Sequence, residues 1–560
     1  MKALEVPARH SERRRWGVYY TPEWIARGLV GVLGALDPDR RARRMIDPTC
    51  GEGAFVAAAR GAVGAPKARR YGIDRDPDVS DAWRSSDLGA EARLAVADAL
   101  TTAPPPDWPR NFDWVMGNPP FGRWRPAPGE LESLRDWARA SDLEAVAMPT
   151  GDAVAFEWAF LARFAHLAAP GGWIAVIVPE GALTNHRDAP RRAALFGRTR
   201  LVAALTLPAG AFRARGTSAR TAALIFQRSA PPADHRAWVG SVQTDEDWTA
   251  VARALAHGGS VLDGTWVDQA DLAAGARLDA EYHRSEFTEI EDWLGAHGAR
   301  PLGEQLCRAP GVLAITYGAI RTGASIGAAA SSGGPAIPLI RGGEMTATGL
   351  DLRRALRVAR EGPWDPPRSR ALPGDLLLAR SGAGSLGRGR MAIVTGAQAL
   401  AVGCFVDRIR FARPENAVAA YWFLKSPLGW SQIWRRANGV GSPNLSFDEI
   451  RSLRIPPWTD ATRRRLVTRH RQLAALHARG LTDDRARAKA EAALRSGIEA
   501  LLGALVESPA ERAWLLERCA RLGTLGALGT PGAGVNRRVG PPPRGPSAPA
   551  PRRRRAGSSR

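Results

Sequence analysis

The sequence predicts an α/β protein: a seven-stranded, doubly wound sheet domain, then a β-rich domain, then a helical segment. Three observations carry that prediction. Between Arg44 and Ser229 short apolar runs alternate with amphipathic stretches, the pattern of a largely parallel sheet covered by helices on both faces. Residues 286–458 hold short β-like runs such as GDLLLAR, GRMAIVTG and DRIRFARP, broken by glycine and proline. From Asp460 to about Leu505 the composition turns to Ala, Arg, Leu and Glu at helical spacing, interrupted near Gly480.

Taken in order, a lead of basic character fills residues 1–15 and the sheet domain residues 16–230. A helix is expected over Pro22–Leu36, with proline at its start and Trp24, Ile25, Leu29 and Leu33 on its core face. The strand candidates are RMID, RRYGID, ARLAVAD, FDWVMGN, WIAVIVP, LVAALTL and TAALIFQ, which fit one twisted sheet. Residues 231–285 read as a connecting region, 286–458 as the second domain and 459–525 as the helical segment. Residues 526–560 form an Arg/Pro-rich tail whose composition is that of a disordered chain. No repeat at a fixed period is present, which excludes solenoids and propellers.

A net charge of +22 over 560 residues points to a polyanionic partner, nucleic acid first. The tail from Thr530 carries eight arginines and no acid, so the rest of the chain keeps +14. Cys50, Cys307, Cys404 and Cys519 stand far apart with no CxxC pair, so neither a disulfide framework nor a metal site is predicted. No signal-like h-region and no run of about 18 apolar residues occurs, and the expected compartment is cytoplasmic, without a membrane partner.

The loop Asp47-Pro48-Thr49-Cys50-Gly51-Glu52-Gly53 follows a strand and opens a helix. Its glycines let backbone amides approach a ligand, and the helix start favours negative charge. The next two strands end in Asp74 and Asp98, so three successive strands carry an aspartate to one sheet edge, where ligands of parallel sheets bind. Asp74 suits a pair of ribose hydroxyls, and Asp98 an adenine amino group.

The fourth strand ends in Asn118-Pro119-Pro120-Phe121, which resembles the catalytic tetrapeptide of amino-group methyltransferases. Gly17-Val18-Tyr19-Tyr20-Thr21-Pro22 upstream resembles the GxYxTP segment of gamma-group N6-adenine DNA methyltransferases. Pro170-Gly171-Gly172, Gly181-Ala182-Leu183 and Phe212-Arg213-Ala214-Arg215-Gly216-Thr217 follow in that group's order. The resemblance covers residues 17–229 and implies a Rossmann-like methyltransferase domain that uses S-adenosyl-L-methionine on duplex DNA. It assigns cofactor contacts to Tyr20, Thr21, Asp47, Thr49, Gly51, Asp74 and Asp98, and catalysis to Asn118, Pro119, Pro120 and Phe121. The Asn118 side chain and Pro119 carbonyl would accept from the target amino group, and Phe121 would stack on a flipped base. Phe212 is expected as a second stacking partner, whereas the Phe156, Phe160, Phe164 stripe reads as core. Glu52 departs from the small residue of many relatives.

A second resemblance runs from residue 277 to 458 and rests on ArgLeuAspAlaGluTyr at 277–282, Ile340-Arg341-Gly342-Gly343-Glu344, GDLLLARSG at 374–382 and NGVGSPNLSFDEIRSLRIPPW. These look like one target-recognition domain of type I restriction specificity subunits, with Arg341, Arg380, Arg388 and Arg390 as expected DNA contacts. The combination implies the modification enzyme of a restriction-modification or phage-defence system. A separately encoded restriction endonuclease is the expected source of any cleavage, because only 16 residues precede the first motif. A monomer is favoured over a dimer through the helical segment, which lacks sustained heptads. The rivals are an RNA or protein-glutamine methyltransferase on the same fold, or a DNA-binding specificity module with an inactive methyltransferase half. N4-cytosine methylation shares the chemistry.

Overall fold

A computed structural model describes residues 21–37, 43–63, 69–149, 151–208, 210–213, 220–259, 264–320, 335–382, 384–437 and 444–523. The first domain is built on one sheet. Its strands are β1 (Met45–Asp47), β2 (Arg70–Asp74), β3 (Arg93–Val96), β4 (Phe112–Gly117), β7 (Ala168–Pro179), β8 (Arg200–Thr206), β9 (Thr221–Gln227), β10 (Arg236–Ser241) and β11 (Thr265–Asp268). A two-residue ladder of β5 (Arg123–Trp124) and β6 (Val154–Ala155) stands apart from it.

Strand order is β11-β10-β8-β9-β7-β4-β1-β2-β3. The neighbours β3, β2, β1, β4 and β7 are parallel, and β9 runs antiparallel to both β7 and β8. All seven expected strands lie in this sheet, which among the described residues has nine. The stretch read as a connecting region supplies β10, parallel to β8, and β11, antiparallel to β10. Trp238 and Val239 of β10 are fully buried, so glycines and charges around them masked a short core strand.

Alternation along β7 shows why both faces are covered. Ile174, Val176 and Val178 enter one buried cluster, while Ala175 and Ile177 enter the other. The first cluster takes in the helix Phe156–Leu167, and the second the helix Glu23–Leu36. Gly28 lets Trp248 of the helix Asp247–His257 lie against that last helix, since a Cβ there would stand 2.3 Å from the indole.

The second half has small sheets: β12 (Arg300–Pro301) with β20 (Arg454–Ile455), the order β13-β19-β16-β17 (Ile315–Tyr317, Val406–Ile409, Leu376–Ala379, Met391–Ile393), and β15-β14-β18 (Arg357–Ala359, Ala336–Ile340, Ala401–Val402). The helical segment is three helices. Asp460–Gly480 and Asp484–Leu505 form a hairpin on the helix Pro414–Leu424, and Pro509–Arg521 packs on Ser285–Ala296. Gly480 marks the turn because a Cβ there would lie 2.8 Å from the backbone of Arg487. Leu466, Leu473, Leu494, Ile498 and Leu501 bury the hairpin's apolar faces in the same core as β16 and β19.

The two halves are fastened together. Buried Arg192 donates to the carbonyls of Ala182, Asn185, Gly275 and Ala276 at 2.9–3.2 Å, and Leu278 N–H donates to Leu183 O at 3.1 Å. Arg277 pairs twice with Asp279 at 2.9 Å and donates to the carbonyls of Arg435 and Arg436. His186 Nε2 meets Glu449 Oε1 at 2.8 Å.

Candidate active site

The strand order reverses between β1 and β4, and this crevice at the carboxyl ends of the strands is where an open α/β sheet binds its ligand. A cavity of about 830 Å³ opens there. Thr21, Asp47, Thr49, Gly51, Asp74, Asp98, Asn118 and Pro120 all line it, brought together from four strand ends and the entry to the first described helix.

Hydrogen bonds fix the loop after β1. Asp47 Oδ1 accepts from Thr49 N–H at 2.9 Å and from its hydroxyl at 3.2 Å. Cys50 N–H donates to Ile73 O at 2.9 Å, and Trp83 Nε1 donates to Gly51 O at 2.8 Å. Gly51 and Gly53 have φ of 50° and 91°, a left-handed backbone that glycine adopts without strain. Asp74 accepts from Gly51 N–H at 2.7 Å and from Asp76 N–H at 2.9 Å. Burial raises both carboxyls, Asp47 to about 8, with Asp74 adding to it by repulsion. Asp98 accepts from Leu100 N–H at 2.9 Å and faces Arg75 at 3.6 Å.

Gly117, the last residue of β4, has no room for a side chain. A Cβ there would lie 2.5 Å from Asp47 Oδ1 and 2.9 Å from Thr49 Oγ1 and from Phe164. The chain that leads into Asn118 therefore runs directly against the β1 loop. Beyond it, Phe156 N–H donates to Gly122 O at 2.9 Å, and the β5–β6 ladder ties the 118–122 loop to the helix Phe156–Leu167.

Other expected residues fall elsewhere. Tyr20, most of the GxYxTP segment, residues 438–443 of the later motif and the arginine tail lie outside the described residues. Pro119 is buried and Phe121 is half-buried against the core beneath the sheet, and neither lines the cavity. Phe212 is 1% exposed in that same core, so it is not presented to a base in this conformation. Arg380 is held between the rings of Tyr317 and Phe447 and pairs with buried Asp407 at 3.5 Å, a packing role. Arg390 donates to Gly342 O at 2.8 Å. Arg388 is exposed, and Arg341, 46% exposed, pairs with Glu344 at 3.1 Å.

Sequence reasoning missed Trp124. Phe156 and Phe160 are core residues, as the stripe was read, and with Trp124 they also line the cavity, the Trp124 and Phe156 rings stacked at 5.8 Å. The signal available was Trp124 three residues beyond Phe121.

Comparison with known proteins agrees with this geometry. Residues 6–252 match the family described as N-6 DNA Methylase. A Type II methyltransferase, M.CvrRI, of Paramecium bursaria Chlorella virus XZ-6E is 30% identical over 122 residues, 21% of this chain and 29% of the relative. M.TthHB8I of Thermus thermophilus is 33% identical over 109 residues, 20% of this chain and 22% of the relative. The chain thus spans less than a third of these relatives. Among solved structures, the type IIG restriction endonuclease BpuSI aligns at a TM-score of 0.46 and 14% identity over 82% of this chain and 62% of that one. The DrdV–DNA complex aligns at 0.45 and 11% over 84% and 58%. The family match, residues 6–252, falls on the sheet, the strand-end aspartates and the Asn-Pro-Pro-Phe loop together.

Proposed function

We propose that the protein is a site-specific DNA methyltransferase that moves a methyl group from S-adenosylmethionine to N6 of an adenine flipped out of the duplex. The observation that carries this reading is Asn118 opening on the same cavity as Asp47, Asp74 and Asp98. The residues fit the cofactor. The cavity has the size of a cofactor pocket, roughly 300–1,000 Å³, and its lining offers a carboxylate for ribose hydroxyls at Asp74, another for an adenine amino group at Asp98, and Asp47, Thr49 and Gly51 for the amino-acid end.

When bound, S-adenosylmethionine supplies an electrophilic methyl on a sulfonium. An adenine amino nitrogen is a poor nucleophile because its lone pair is delocalised into the ring. The Asn118 side chain would accept from one of the nitrogen's hydrogens and the Pro119 carbonyl, which is outside the cavity lining in this conformation, from the other, favouring a pyramidal nitrogen and freeing the lone pair for in-line attack. Transfer would exchange the sulfonium's S–C bond for an N–C bond, the sulfur keeping the electron pair, and the nitrogen would pass its surplus proton to water. Phe121 stacks on the base once the loop turns it outward, and no covalent nucleophile is needed.

Residues 286–458 act on this reading as the target-recognition domain, with Arg341 and Arg388 the exposed arginines that reach DNA. The monomer modifies DNA for a restriction-modification or phage-defence system, and a separate endonuclease performs any cleavage. Tritiated S-adenosylmethionine offered with duplex DNA, RNA and protein tests the reading. Label should enter DNA and be recovered as N6-methyladenine after digestion. Label in N4-methylcytosine, RNA or protein would replace the substrate, and calorimetry without cofactor binding would establish an inactive half.

A further inference from the structure

The helical hairpin carries charge that its own packing does not use. Between residues 460 and 505 ten Lys and Arg face five Asp and Glu. Arg471, Arg479, Arg485 and Lys489 are exposed, and among the described residues none of them lies within 4 Å of a carboxylate. Arg471 and Arg479 share a stripe with Thr468 and Ala475, and Arg485 and Lys489 share one with Ala492 on the second helix. Eight residues of helix place the first two cations about 12 Å apart, a length over which duplex DNA presents roughly seven phosphate charges.

The side chains between these cations decide the kind of partner. Thr468, Ala475, Ala478, Ala488 and Ala492 are exposed and small. A protein interface draws its binding energy from large aromatic or apolar anchors at its centre, and this face offers none. A phosphate backbone needs only cations at the surface.

The hairpin tip is also anchored to the loops expected to read bases. His477 Nε2 contacts Leu350 O at 3.0 Å and its Nδ1 contacts Thr348 Oγ1 at 2.9 Å. Gly349 makes room for that ring, since a Cβ there would lie 2.6 Å from it. Buried Lys425 then joins the loop to its neighbour, donating to Ala347 O at 3.2 Å and Gly389 O at 3.0 Å. Arg341 and Arg388 sit on these two loops, the first of which the tip contacts from the side of its first helix opposite Arg471 and Arg479.

We infer that Arg471, Arg479, Arg485 and Lys489 form a docking surface for the phosphate backbone of duplex DNA. The inference rests on the DNA reading above. The test measures affinity of the full chain for a methylatable duplex and for an unrelated duplex across a salt series. The variants are R471Q/R479Q/R485Q/K489Q and a control, R84Q/R139Q/R198Q, whose arginines already face carboxylates. Each phosphate contact contributes about 0.9 to the slope of log K against log salt. The quadruple variant should flatten the slope by roughly 3–4 on both duplexes and leave their affinity ratio unchanged, and the control should move the slope by less than about 1. A quadruple variant with the wild-type slope overturns the docking surface and leaves the DNA reading standing, the cations then serving another acidic partner or solvent. Equal flattening in the control overturns it as well, by showing a diffuse charge effect. A wild-type chain that binds neither duplex overturns both.

Discussion

At the residue scale, the site divides into groups whose type the chemistry demands and groups that merely fill space. The three strand-end aspartates were legible because each closes an apolar run, and the sheet brings such ends to one edge. Phe212 and Arg380 were not, because a lone aromatic or arginine carries no sign of whether distant partners, such as Tyr317 and Phe447 for Arg380, will enclose it. Asn118→Ala should remove most methyl transfer while leaving cofactor and DNA affinity near wild type, since on the proposed reading its amide acts on the reacting amino group. Turnover near wild type on duplex DNA would remove Asn118 from catalysis. Asp47 yields a pH prediction. Its folded pKa of about 8 lies above the unfolded value, so from pH 4 to 8 the folded state holds the extra proton and stability falls as pH rises. Asp47→Asn, which needs no proton, should gain stability relative to wild type across that window, with no further gain above pH 8, while binding the cofactor more weakly. Parallel melting curves for the two proteins from pH 4 to 9 would refute the shift.

At the element scale, the seven expected strands were readable because strands covered on both faces, the antiparallel β9 included, are near-continuous apolar runs. β10 and β11 were not, because their polar flanks look like loop. Gly480 was readable as an interruption, but its reason is tertiary. A Cβ would collide with the backbone of Arg487, so the residue sets how closely the two hairpin helices approach. Gly480→Ala pits two effects against each other. Alanine gains up to about 1 kcal/mol in helix propensity, whereas overpacking against backbone costs typically 1–3 kcal/mol. The net outcome should be a loss of stability, read as a lower urea midpoint with the slope unchanged. A raised midpoint would show that the hairpin opens freely.

At the scale of the whole molecule, the hairpin's apolar faces are consumed by its own domain, which leaves a second copy no seam of the kind a coiled-coil dimer needs. On the proposed reading of one recognition domain and one methyltransferase domain in a monomer, the protein should modify a short non-palindromic motif on one strand. Strand-resolved methylation mapping in cells with and without the gene, together with the solution mass, checks this. A palindromic motif methylated on both strands by this enzyme alone would instead require a two-fold dimer.

The fastening between the halves carries a meaning beyond stability. Arg277 and the His186–Glu449 contact join the cavity's domain to the expected reading loops, so on the proposed function the molecule would act as a gauge of set length. The number of base pairs from the recognised sequence to the modified base would then be a property of this junction, independent of which bases are read. Exchanging loops would rewrite the word that is recognised. Only a change at the junction would move the letter that is marked.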